Sequence, residues 1–171
     1  MTYNIHPLFV HFPIALLLLY SAVKILPLQK WFPKGNWKTS EILLLVTGLA
    51  GVVIASSTGE LAEELVRPNN QIVEMHSLFA AATTWMFGII LAGEVLRFIN
   101  CRYTAKLNSP AISKIATGAE KILTNTLLTK LLAFAGLIAI SVTGLLGGVM
   151  VYGLSADPIA PMVLKLLGIA F

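Results

Sequence analysis

Apolar residues along this chain gather into four long runs separated by short polar stretches. The first extends from about Leu8 to Leu28 and includes the uninterrupted string Ile14-Ala15-Leu16-Leu17-Leu18-Leu19. The second covers Ile42 to Ser57, with a helix that can continue to Val66; the third covers Ser77 to Ile99 and the fourth Leu131 to Leu154. About 20 mostly apolar residues suffice to cross a hydrocarbon core of roughly 30 Å. The pattern therefore predicts transmembrane helices at about 8–28, 42–66, 77–99 and 131–154, in a single domain over residues 1–171. The runs lack the period-two alternation of a membrane barrel. The first is not read as a signal peptide, because no basic region precedes it, no small-residue cleavage site follows it, and His11 and Pro13 interrupt it.

Two shorter elements follow from the same reading. Asn108-Ser109-Pro110 reads as a helix start, with Ser109 as N-cap and Pro110 at the first helical position. Beyond it Ile112, Ile115, Ala116, Ala119, Ile122 and Leu123 recur at helical spacing among Lys114, Glu120 and Lys121, the pattern of a basic amphipathic helix on a membrane surface. Asp157-Pro158 opens a last apolar segment, too short to span, that should lie at the interface or tuck against the bundle.

Composition sharpens this picture. Of 171 residues 57% are hydrophobic and 12% charged, with mean hydropathy +0.83, whereas soluble domains carry roughly 45–50% and about 25%. A water-facing surface is excluded, and so is disorder. One cysteine excludes a disulfide scaffold and a cysteine-based metal cluster. The net charge of +4 divides by loop. Lys24, Lys30, Lys34 and Lys38 fall in the first loop, and Arg97, Arg102, Lys106, Lys114, Lys121 and Lys130 in or beside the third. The second holds Glu60, Glu63, Glu64 and Glu74 against Arg67 alone. Basic loops stay cytoplasmic, so loops 1 and 3 are expected inside, with both termini and the acidic loop outside. The charge records orientation, and no nucleic-acid partner is expected. Trp31, Trp37 and Tyr103 suit an inner aromatic belt, Glu94 and Arg97 read as a snorkelling pair, and Cys101 receives no role.

The four spans hint at duplication. Thr47-Gly48-Leu49-Ala50-Gly51 in the second resembles Thr143-Gly144-Leu145-Leu146-Gly147 in the fourth, and His11 and His76 are each followed four residues later by an alanine, Ala15 and Ala80. The expectation is an all-α membrane bundle made of two parallel helical-hairpin repeats, each pairing a histidine helix with a glycine helix, with the amphipathic helix in the third loop. Parallel repeats imply a pseudo-two-fold axis along the membrane normal. The glycines Gly48, Gly51 and Gly144 have an ordinary explanation in close helix packing and a sharper one as the walls of a slot for a flat cofactor.

Ionisable residues inside membrane helices are functional candidates. Three readings stay open. His11 and His76, at matched depth, can ligate a b-type haem on the outer side, with Ala15 and Ala80 leaving room for the porphyrin and Arg67 pairing with propionates. They can instead hold a metal together with the second-loop glutamates. Or they are interfacial residues of a scaffold without a cofactor. His6 precedes His11 by five residues, roughly 140° around a helix, so the two cannot readily share a ligand; His6 is a helix cap or an orienting hydrogen-bond donor.

The opening His6-Pro7-Leu8-Phe9-Val10-His11-Phe12-Pro13-Ile14-Ala15-Leu16 resembles the signature of a bacterial membrane family known as domain of unknown function 2231. His76 at the third span and Gly147-Gly148-Val149-Met150-Val151-Tyr152 late in the fourth resemble its later marks. A further histidine frequent in that family after the tyrosine is replaced here by Gly153-Leu154-Ser155, which limits the expectation to one bis-histidine pair. The resemblance implies a four-helix protein of the bacterial inner membrane, and relatives fused to Rieske-type or cytochrome-c-type domains imply electron transport. The combined expectation is a haem b subunit, an electron carrier rather than a stand-alone enzyme, in the lipid bilayer. Its partners would be a quinone or a periplasmic or extracellular redox protein, within a homo-oligomer or a larger membrane complex.

Overall fold

The computed structural model describes residues 6–66, 69–103 and 110–169. Those residues form helices and turns only. In chain order the helices are α1 (His6–Ile25), α2 (Leu28–Trp31), α3 (Trp37–Val66), α4 (Asn70–Tyr103), α5 (Pro110–Leu123), α6 (Thr126–Tyr152) and, after a 3-10 turn at Gly153–Ala156, α7 (Ala160–Leu166). Helices α1, α3, α4 and α6 are long and apolar enough to cross a membrane. They coincide with the four expected spans, but α4 begins seven residues earlier than the hydropathy edge at Ser77, so His76 lies well inside the helix. The polar run Asn70-Gln71 starts α4 because the Asn69 side chain accepts a hydrogen bond from the Gln71 amide at 2.9 Å.

Helix α1 packs chiefly on α3, and α4 on α6, giving two antiparallel hairpins; α1 also meets α6, and α3 meets α4, less extensively. The ring order α1–α3–α4–α6 places α1 diagonal to α4. Across that diagonal Tyr20 and Phe87 meet edge to face, ring centroids 5.8 Å apart. They belong to a core of Leu17, Tyr20, Leu45, Phe87, Ile90, Ala133 and Ile140. Span hydroxyls are satisfied within their own helices: Ser21 bonds the Leu17 carbonyl, Thr83 that of Phe79, and Ser141 that of Leu137. This is what a hydrocarbon solvent demands of every polar group.

The two ends of the bundle differ. At the end where α1 begins and α6 closes, α7 folds back onto the second hairpin. Ala160, Leu164 and Ile169 are buried with Ile72, Leu146 and Val149. Of the two seats expected for the C-terminal segment, the bundle is the one it takes. The Asp157 side chain starts it by accepting from the Ile159 amide, and Gly153, at φ +72°, makes the reversal that ends α6. At the opposite end lie α2, α5 and most of the lysines. Lys24 pairs with Glu41 at 3.0 Å. Glu94 pairs with Lys38 of α3 rather than with Arg97, which is exposed. Arg97 is one turn away on the same helix, but Lys38 reaches the carboxylate across the α3–α4 seam. Lys130 of α6 donates to the Ile25 carbonyl at the end of α1. Lysines thus bridge both seams between the hairpins.

Helix α5 has three faces. Ala116, Ala119, Glu120 and Leu123 turn inward. Asn100 donates to Glu120 at 2.8 Å, and Leu123 comes so close that a Cβ at Gly93 would stand 3.0 Å from its Cβ. Ile112, Ile115 and Ile122 form an exposed apolar face, and Lys114 and Lys121 an exposed basic one. An apolar strip between a packed face and a charged face is the arrangement of a helix lying at a membrane surface. Ser109, its expected cap, lies outside the described residues.

Candidate functional site: two histidines in register

The hairpins superpose in sequence once the packed glycines are taken as landmarks. A Cβ at Gly48 would stand 2.7 Å from Leu17, and one at Gly136 would stand 2.8 Å from Phe87. Eleven residues further along each glycine helix are Gly59 and Gly147; eleven residues back along each partner helix are His6 and His76. A Cβ at Gly59 would lie 3.5 Å from His6 Cε1, and one at Gly147 would lie 3.4 Å from His76 Cε1. Eleven residues are just over three full turns at 3.6 per turn, so each layer repeats on the same helix face. Adding 70 converts α1 into α4, and Pro13, Leu17 and Tyr20 become Thr83, Phe87 and Ile90, all buried. Adding 88 converts α3 into α6, and Leu45, Gly48 and Gly51 become Ala133, Gly136 and Ala139, again all buried.

The expected duplication is therefore present, in a different register. The sequence match of Gly48 with Gly144 and His11 with His76 rested on short look-alike strings. The packed faces instead equate Gly48 with Gly136 and His6 with His76.

Ring contacts repeat the same equivalence. His76 Nδ1 lies 3.0 Å from the Thr143 carbonyl oxygen. A carbonyl only accepts, so Nδ1 carries the proton and the lone pair is at Nε2. His6 Nδ1 lies 2.9 Å from Thr58 Oγ1, and its ring also has the Ala55 carbonyl within hydrogen-bonding range. Ala55 is the counterpart of Thr143. Thr58 gives its own proton to the Ala55 carbonyl at 3.0 Å, so it accepts from His6 and again leaves the lone pair at Nε2. The two imidazoles, one from each hairpin, are within electrostatic reach of one another. Metal-ligating histidines characteristically have one ring nitrogen fixed in this way by a carbonyl or similar acceptor.

His11 is placed elsewhere. It is exposed, as is Ala15, on the side of α1 opposite Pro13, Leu17 and Tyr20, and its Nδ1 bonds the Pro7 carbonyl of its own helix. The structure therefore does not bring His11 to the face where His76 packs; His6, roughly 140° around the same helix, is the α1 histidine that turns inward. Ala80 is half-buried and its carbonyl accepts from Thr84. Gly48 and Gly51 are filled by Leu17 and by Pro13, whose ring would be 3.1 Å from a Cβ at Gly51. That row serves packing, not a slot. Gly144 faces α1, with the Ile14 methyl 3.5 Å from its Cβ position. Arg67 and the side chains of Glu60, Glu63 and Glu64 lie outside the described residues, and Glu74 is exposed. Among the described residues, no three His, Cys, Asp or Glu side chains cluster as a metal site. Cys101 is a free, exposed thiol.

Thr58 was not singled out by sequence reasoning, nor was the carbonyl role of Ala55 and Thr143. The clue available there was the equal eleven-residue interval from glycine to glycine and from histidine to bulky core residue.

An apolar groove of about 450 Å³ opens between α1 and α3, lined by Leu8, Phe9, Phe12, Thr47, Ala50, Gly51 and Ile54. It contains no histidine.

The model of a family described as predicted membrane protein, DUF2231, matches residues 2–157. No curated protein and no solved structure matches the chain.

Proposed function

We propose, from the premise that this chain belongs to the DUF2231 family of predicted membrane proteins, that it is a membrane-embedded b-type haem protein serving as an electron-transfer subunit. His6 and His76 are the axial pair. The observation that carries this reading is the matched setting of the two imidazoles: one from each hairpin, each Nδ1 anchored on the opposite helix and each lone pair left at Nε2.

The donor chemistry fits a haem iron, which takes imidazole nitrogen as its usual protein ligand. The Gly48–Gly51 row does not fit the macrocycle, since Leu17 and Pro13 occupy it; the bundle end beside Gly59 and Gly147 is the place for it. A haem there supplies a one-electron couple. The chain's own part is to fix the ligand rings, keep Nε2 unprotonated and exclude water with the core below them. The arginine and lysine loops support an orientation with those loops inside and the termini outside, and so a pair on the periplasmic side of a bacterial inner membrane. A single site in one half of a bilayer of roughly 30 Å serves a quinone or an external redox protein, as part of a homo-oligomer or a larger complex, and does not carry electrons across alone.

Absorption spectra of the purified protein, oxidised and dithionite-reduced, test this. A Soret band that sharpens on reduction is expected, lost in His6→Ala and in His76→Ala and kept in His11→Ala. A protein incubated with excess haem that shows no such band overturns the proposal. The filled glycine rows favour a second reading, a scaffold without a cofactor, and that same blank spectrum is its expected result. Retention in His6→Ala with loss in His11→Ala would restore the outward-facing histidine as ligand.

A further inference from the structure

Helix α5 repeats one triplet after seven residues: Lys114-Ile115-Ala116, then Lys121-Ile122-Leu123. Seven residues are close to two full turns, and each step within a triplet turns the helix by about 100°. The triplets therefore stack, and each position draws its own row along the axis. Ala116 and Leu123 form a half-buried row, with Leu123 against Gly93 of α4. Ile115 and Ile122 form the next row and remain 72% and 65% exposed. Lys114 and Lys121 form the third, also exposed.

The charge around these rows is one-sided. The acid of α5, Glu120, turns inward and accepts from the Asn100 amide at 2.8 Å. Glu41 and Glu94, the other described carboxylates at this end of the bundle, are held by Lys24 and Lys38. Lys114 and Lys121 are thus left with Arg97, Arg102, Lys30 and Lys34 as exposed cations that have no ionic partner among the described residues. Neither exposed row of α5 can roll out of sight, because Leu123 at Gly93 and Glu120 at Asn100 fix the rotation of the helix.

We infer that this face of α5 is a docking surface for anionic phospholipids, with Lys114 and Lys121 on headgroup phosphates and Ile115 and Ile122 among the acyl chains beneath them. An acidic solute would answer the lysines and leave the isoleucines in water. A leaflet answers both, since its charged layer and its apolar layer lie side by side as the two rows do. The lysines stand about 10 Å apart along the axis at 1.5 Å per residue, so each addresses its own headgroup. The inference needs neither a haem nor a choice of which way the chain is threaded.

Cys101 provides the test, being the one cysteine, exposed, and next to Asn100. The full-length chain carrying a fluorophore there is placed in nanodiscs with doxyl-labelled phosphatidylglycerol or, in a parallel sample, doxyl-labelled phosphatidylcholine. Phosphatidylglycerol should quench more strongly at equal mole fraction, and the preference should fall toward parity as salt is raised. Lys114→Gln and Lys121→Gln should each lower the relative affinity about fivefold, the worth of one lysine near an anionic surface. Lys114→Arg with Lys121→Arg should retain it, and Lys165→Gln, at the opposite end of the bundle and exposed, should leave it unchanged. Equal quenching by the two lipids at low salt overturns the inference and leaves the face to a soluble acidic partner. A preference that survives Lys114→Gln with Lys121→Gln overturns it as well, and its loss in Arg97→Gln with Arg102→Gln would then move the site to α4. So does displacement of the lipid by inorganic phosphate at constant ionic strength, the mark of a site for free anions.

Discussion

The two hairpins share a scaffold and differ in what surrounds it. In both, a glycine of the second helix admits a bulky residue of the first, and three turns further along a second glycine lies against a histidine. Around that layer they diverge. The second hairpin is sealed: α7 covers it, Leu146 and Val149 are buried, and the histidine bonds a main-chain oxygen. The first is open: the groove between α1 and α3 faces outward, and the histidine has a hydroxyl beside it as well as the Ala55 carbonyl. Equivalence of packing does not bring equivalence of chemistry. The layers fixed by backbone proximity are the ones the hairpins keep in common, while side chains that only tune a neighbour differ.

The comparison can be broken first through α7. Leu164→Ala removes a buried side chain that only the second hairpin has, and should cost about 2–5 kcal/mol, read as a lowered unfolding temperature in detergent. Ile54→Ala, in the groove of the first hairpin and about half exposed, should barely register in the same assay. Next comes the shared glycine layer. Gly136→Ala sets a methyl 2.8 Å from two atoms of the Phe87 ring, a flat group that cannot fold away, so overpacking of about 1–3 kcal/mol is expected. Gly48→Ala meets the branched end of Leu17, which has rotamers to try, and should cost less; equal losses would show the two layers to be more alike than their partners suggest. A smaller effect is expected at the seam. Glu94→Gln releases Lys38, whose side chain is 43% exposed and can find water, so the loss should be about 1 kcal/mol or less, and it should shrink in high salt. Smallest of all, Gly88→Ala meets nothing within 4 Å and should leave stability within about 0.5 kcal/mol.

Hydropathy made the four spans, the hairpin pairing and the amphipathic α5 legible in the sequence, because the medium writes those features residue by residue into composition. The register of the repeat was hidden. Its shared residues are few and scattered, Gly48 with Gly136, Gly59 with Gly147 and His6 with His76, whereas Thr47-Gly48-Leu49 and Thr143-Gly144-Leu145 offer a longer but false match. Which face of α1 turns inward was also hidden, since α1 is apolar nearly all round and its burial depends on where α3 lies. His11 therefore looked as eligible as His6. The Lys38–Glu94 pair joins residues 56 apart in sequence, and only the meeting of α3 and α4 creates it.

The eleven-residue interval has a consequence for how such a chain can change over generations. Deleting one residue between Gly48 and Gly59 would turn everything beyond it by about 100°, carrying Gly59 away from His6 while the layer at Leu17 stayed seated. Insertions or deletions inside the spans are therefore tolerable only in whole-turn sets, or in compensating pairs on both helices of a hairpin. Descendants of this chain should vary in length in the loops, and hold the distance from the mid-bilayer glycine to the histidine layer, about 16 Å at 1.5 Å per residue, as a fixed ruler.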